Sequence, residues 1–197
     1  MLGALIRNVL RSPAATVERP RDDKPLRLHI GGEQRHPDWK IVNVTASEAT
    51  DYVRSCTDLT LFASESVTEI YASHVLEHLG YKRDLPRALR EFHRVLVPGG
   101  RLSISVPDLQ VLCGLFLDPA LEPQERFMVM RMMFGGQMNA ADFHYVGLSE
   151  EFLSDFLQKA GFVEATRVSA FGLFEDTSNL EMRGRPISLN MTARKPA

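Results

Sequence analysis

Leu26, Leu28 and Ile30 alternate with Arg27 and His29. A period of two predicts a strand. Gly31-Gly32 breaks it at once, and a strand that runs straight into glycines is where an open α/β sheet lets its backbone approach a ligand. After a turn at Pro37, a second strand is predicted over Trp39 to Val44. Residues 46–55 are polar and are expected to be helical. Leu59, Leu61 and Phe62 form a short apolar connection, and Thr68 to Val75 reads as a buried strand rich in β formers.

Leu85, Leu89, Phe92, Val95 and Leu96 recur at helical spacing, which predicts a helix over about 84–97 ending at Pro98-Gly99-Gly100. Arg101 to Val106 alternates as a strand up to Pro107. A helix is predicted over 122–134, with Phe127, Met130, Met133 and Phe134 on one side, then a loop over 135–148. Ser149 caps a helix over 150–160, with Glu150 and Glu151 at its positive end and Gly161 as its stop. Two strands follow, over about 163–171 and 187–194, as an antiparallel edge pair. Strands alternating with helices argue for a mostly parallel sheet, with the ligand crevice at the carboxyl ends of its central strands. Those ends are Gly31-Gly32, Asn43, Ser73-His74 and Val106-Pro107-Asp108.

The 197 residues suit one domain, with a net charge of −2 that gives no reason to expect a nucleic-acid partner. Two cysteines, Cys56 and Cys113, are no disulfide framework and suit a reducing cytoplasm. No apolar run is long enough to span a membrane. At the start, Leu2, Leu5, Ile6, Val9 and Leu10 share one helical face. A short amphipathic helix is expected there, packed on the domain or on a second subunit of a homo-oligomer. Residues 12–25 read as a linker, and 26–197 as the domain.

LHIGG, SHVLEHL and LREFHRVLVPGGRLSISVPD stand in order and at the usual spacing. With LSEEFLSDFLQKAGF, they resemble a class I, Rossmann-like S-adenosylmethionine-dependent methyltransferase of type 11. The resemblance covers roughly residues 26–165. It implies a three-layer α/β fold with a mostly parallel seven-stranded sheet and an antiparallel edge strand. It also implies S-adenosylmethionine as cofactor, bound by Gly31, Gly32, Glu33, Asn43, Ser55, Cys56, Ser73 and His74. The motif is degenerate. Glu33 stands where the family usually has glycine; its carboxylate would repel that of the cofactor or accept a hydrogen bond from its amino group. Asn43 replaces the usual acidic residue at the ribose, and Ser55 with Cys56 a frequent Asp at the adenine. Two such losses cost roughly 2 kcal/mol, about thirtyfold in affinity.

His74, Glu77 and His78 match the inverted zinc-hydrolase motif H-x-x-E-H. The strand-like TEIYAS before it places His74 at a strand end, lining the cleft, so no metal ligand is assigned. His93 reads as a boundary residue. His144 and Tyr145 lie in the loop that covers the substrate in the resembling family. His144 is suited to take a proton from an attacking group, with Asp142 or Asp108 to position it. Arg126 and Arg131 read as solvated helix charges, and the Met128, Met130, Met132 and Met133 group as core filling. The leading reading is a methyltransferase acting on a small molecule or a saccharide, since similar proteins accompany cell-surface glycan synthesis. The alternative is a non-catalytic binding or scaffolding protein with an altered cofactor pocket. The third is a metal hydrolase using His74 and His78.

Overall fold

A computed structural model describes residues 25–139 and 141–197. The expected N-terminal helix and the linker through residue 24 lie outside them. Nine strands and four helices follow: β1 Arg27–Ile30, β2 Lys40–Asn43, β3 Tyr52–Val53, β4 Val67–Ser73, α1 Asp84–Val95, β5 Leu96–Pro107, α2 Leu109–Phe116, α3 Pro123–Phe134, α4 Glu150–Lys159, β6 Val163–Arg167, β7 Glu181–Met182, β8 Arg185–Pro186 and β9 Ser188–Arg194. Seven strands form one sheet in the order β3-β2-β1-β4-β5-β9-β6. The first five are mutually parallel, and β9 runs antiparallel to both β5 and β6. This is a Rossmann-like α/β fold. No helix among the described residues is long and apolar enough to cross a membrane.

The two sheet faces differ in chemistry. Leu28, Ile30, Ile70, Ala72, Leu102, Ile104, Leu189 and Met191 form one apolar core with Leu85, Leu89 and Phe92 of α1 and Leu153 and Leu157 of α4. The alternate positions point to the other face: His29, Tyr71, Ser103, Ser105, Ser188 and Asn190, all buried. The segment after β6 roofs that polar face. Asn190 Nδ2 donates to the carbonyls of Ser169 (3.2 Å) and Ser178 (3.0 Å). The Tyr71 hydroxyl donates to Asp176 at 2.8 Å.

Four expectations need correction. Residues 46–55 are not helical; they turn and then enter β3. Side chains there bond the local backbone instead: Ser47 Oγ accepts from Ala49 N, and Thr50 Oγ1 donates to the Thr45 carbonyl. Helix α1 stops at Val95, because β5 begins at Leu96, ahead of Pro98-Gly99. Helix α2 has no counterpart in the sequence reading. Its apolar run lacks a helical period, though the Asp108 side chain caps it through Gln110 N and Val111 N. On α3, Phe127 and Phe134 are exposed. The helix instead buries Val129 and packs Met132 and Met133 against Leu112, Leu115 and Leu121.

Candidate functional site

A cleft of about 310 Å³ opens where β1 and β4 end. Gly31, Gly32, Glu33 and Gln34 form one wall and Ser73 and His74 a second; Phe174 to Thr177 form the roof. The glycine turn is dictated by geometry. Gly31 sits at φ 74°, and its amide donates to the Val42 carbonyl at 2.8 Å. A Cβ there would lie 2.5 Å from Val75 Cγ2, and one at Gly32 would lie 2.6 Å from His29 Nδ1. Neither position tolerates a side chain without displacement.

His74 ends β4 at φ 52°, a left-handed conformation that a non-glycine residue adopts only when its surroundings hold it there. Its amide donates to the Ser105 carbonyl at 2.8 Å. Its Nε2 lies 3.0 Å from Ser188 Oγ, and that hydroxyl donates its one hydrogen to the Thr177 carbonyl. His74 Nε2 is therefore the donor to Ser188. The HVLEH segment is no continuous helix, since only Leu76–His78 turn, as a 3-10 helix. His74 and His78 do not share a helical face.

Of the residues singled out in the sequence, Gly31, Gly32, Glu33, Ser73 and His74 line the cleft. Asn43 supports it from behind: its amide donates to the Gly32 carbonyl at 3.3 Å. Ser55 is held in a turn with Thr57. Cys56 is buried in the apolar core, where burial pushes its thiol up to about 12. His144 sits beside Glu77 and His78 rather than with either proposed positioning acid. Asp108 is taken by the α2 cap and by Arg167 at 2.7 Å, and Asp142 accepts from Met138 N. Burial pushes the His144 imidazole below its ordinary value, and the charge of Glu77 opposes that shift. The Tyr145 ring is exposed, while its amide donates to the Glu77 carbonyl at 2.7 Å. Arg126 donates to the Asp118 carbonyl.

Sequence reasoning missed the roof. Phe174 stacks on His29 with ring centroids 4.1 Å apart and also meets Trp39 and Tyr71. Asp-Thr-Ser at 176–178 is an N-cap signal for the turn there, which Asp176 caps through Ser178 N. Tyr71→Phe will cost about 1–2 kcal/mol, by removing a hydrogen bond to a carboxylate, and will speed proteolysis within 171–180. Urea unfolding and limited digestion measure the two effects.

A cleft at the carboxyl ends of parallel strands, walled by a glycine turn, is where a Rossmann-like fold can take a ligand. The methyltransferase domain family matches residues 36–104, from just past the glycine turn into β5. That match covers about a third of the chain and, with the strand order, makes the chain similar to methyltransferase domains. Solved structures share the fold. A possible exported protein from Bordetella parapertussis aligns with a TM-score of 0.54 at 13% identity, over 88% of this chain and 63% of that one. An S-adenosylmethionine-dependent methyltransferase from Archaeoglobus fulgidus aligns at 0.55 and 14% identity, over 88% and 87%. The 1,6-didemethyltoxoflavin-N1-methyltransferase of Burkholderia thailandensis, solved with S-adenosylhomocysteine, aligns at 0.52 and 19% identity, over 88% and 72%. The chain thus spans less than two thirds of the first of these. No curated protein matches it by sequence.

Proposed function

We propose that this chain is an S-adenosylmethionine-dependent methyltransferase acting on a small molecule, with the donor in the cleft between the Gly31-Gly32 turn and Phe174 to Thr177. The observation that carries this reading is the cleft itself, opened by two glycines that cannot bear a Cβ. Its residues fit the cationic part of the donor. Glu33, Glu175 and Asp176 bring carboxylates to it, and among the described residues no lysine or arginine lines it. An amino group and a sulfonium centre are matched by that charge; a carboxylate is not.

The donor supplies an activated methyl group, so the protein's task is alignment and water exclusion. Ser73 and His74 stand at the strand end where an acceptor would meet the methyl. The Phe174 ring shields the cleft from solvent. A saccharide acceptor fits these small polar groups as well as another small molecule does. The two free cysteines fit a reducing cytoplasm.

Asn43 favours a second reading, a binding module without transfer. Its amide already bonds Gly32 and Thr45, which leaves one N–H and one lone pair for ribose hydroxyls and no charge to grip them. Titration calorimetry with S-adenosylhomocysteine decides between the two. Saturable binding that Glu33→Gly tightens about threefold to tenfold, by removing a carboxylate that faces the ligand's own, supports the transferase. No heat from folded protein at high micromolar ligand supports the module.

A further inference from the structure

Glu77 is an acidic side chain held out of water. It is 1% exposed, and neither carboxylate oxygen accepts a hydrogen bond from any described residue. A carboxylate withdrawn from water needs donors or a counter-charge. His74 Nδ1 lies 3.2 Å from Oε1, in ion-pair range but off hydrogen-bond alignment. Because His74 Nε2 already carries the proton given to Ser188, a neutral ring would turn the lone pair of Nδ1 toward the carboxylate.

Two other histidines complete the surroundings. One donor atom from each of Glu77, His78 and His144 lies within 4.8 Å of the other two. His78 Nδ1 lies 3.1 Å from the Phe143 carbonyl, and His144 Nδ1 lies 2.9 Å from the Met132 carbonyl. A carbonyl only accepts, so both Nδ1 atoms carry the proton. In the neutral rings Nε2 then keeps the lone pair, the tautomer that can bind a metal ion through that atom. A backbone carbonyl on the second nitrogen is the usual means of fixing that tautomer. The scaffold is also set: Tyr145 N and Val146 N both donate to the Glu77 carbonyl, which straps the His144 loop to the 3-10 turn.

We infer that Glu77, His78 and His144 bind one divalent first-row transition ion, of the zinc class. Two imidazoles and one carboxylate are a donor set for such ions. Three protein ligands leave at least one position open, as in catalytic rather than closed structural sites. A four-coordinate ion with bonds of about 2.1 Å places its donors about 3.4 Å apart, so the three side chains draw in by roughly an ångström on loading. This site uses a different set from the His74 and His78 pair of the sequence motif, and it does not depend on methyl transfer.

The test uses the full chain without a histidine tag, stripped with a chelator and titrated with Co²⁺ and then Zn²⁺. One Co²⁺ per chain should bind, with visible d–d absorption, and one equivalent of Zn²⁺ should bleach it. Glu77→Gln and His144→Ala should each weaken binding about 100-fold, while His93→Ala, outside the cluster, should leave it unchanged. Glu77→Gln should keep or raise the melting temperature of the stripped protein and abolish the rise caused by Zn²⁺, which separates a lost ligand from a lost fold. The inference is overturned if no stoichiometric ion binds. It is equally overturned if binding survives both substitutions, which would mark an adventitious ion at other histidines.

Discussion

Gly31→Ala will lower the unfolding free energy by about 2–4 kcal/mol. Two effects combine. Gly31 stands at φ 74°, and an L side chain in the left-handed region costs roughly 1–2 kcal/mol. The new Cβ would also sit 2.5 Å from Val75 Cγ2, and overpacking of that kind costs typically about 1–3 kcal/mol. In a domain of this size the melting temperature should fall by roughly 5–12 °C. The double variant Gly31→Ala/Val75→Ala separates the two effects. Deleting the valine methyls removes the clash and leaves the backbone strain, so the pair should show a favourable coupling of about 1 kcal/mol or more. Additive urea-unfolding energies would mean that the turn moves aside, and that it does not shape the cleft as described.

Acid will destabilise the protein through His29. Burial pushes this imidazole down to about 4, against the opposing charge of Asp176. Its Nδ1 has no hydrogen-bond partner among the described residues, and its ring lies between Tyr71 and Phe174. The folded-state value is below the ordinary 6.5, so the unfolded chain takes up the proton first as pH falls. This contribution is fully present above about pH 6.5, shrinks as pH falls towards 4, and is spent below that. A displacement of that size corresponds to roughly 3 kcal/mol. His29→Gln, which cannot titrate, should be less stable at pH 7.5 yet lose much less between pH 6.5 and 4. Parallel slopes for the two proteins would place the acid sensitivity elsewhere. Since Phe174 is both the lid of the cleft and a neighbour of His29, ligand binding should weaken over the same window.

The sheet was legible because its strands carry strong local signals. Leu28 and Ile30 against His29 gave β1, and the alternation through 101–106 gave the centre of β5. Helix α1 showed a full apolar stripe, and α4 an N-cap at Ser149 whose side chain accepts from Phe152 N. Helix α2 was hidden because Leu109 to Phe116 is apolar nearly all round, so it has no face to read. The polar turn over 46–55 misled for the opposite reason. Its Ser, Thr and Asp side chains compete for the backbone, and composition alone does not say which side wins.

The sequence by itself determined the strand order's raw material, the glycine turn and the resemblance to methyltransferases, because period, punctuation and motif order are local properties of a chain. Only the tertiary structure decided what the turn faces. Phe174 and Asp176 reach the cleft from more than a hundred residues beyond Tyr71, and His144 reaches Glu77 across three helices and β5. Such meetings depend on how long connections close over a packed sheet, and on which buried groups find partners there. A buried carboxylate surrounded by histidines, with no hydrogen bond from the described residues, is a fact of three-dimensional neighbourhood. HVLEH named two of its participants, but not the third.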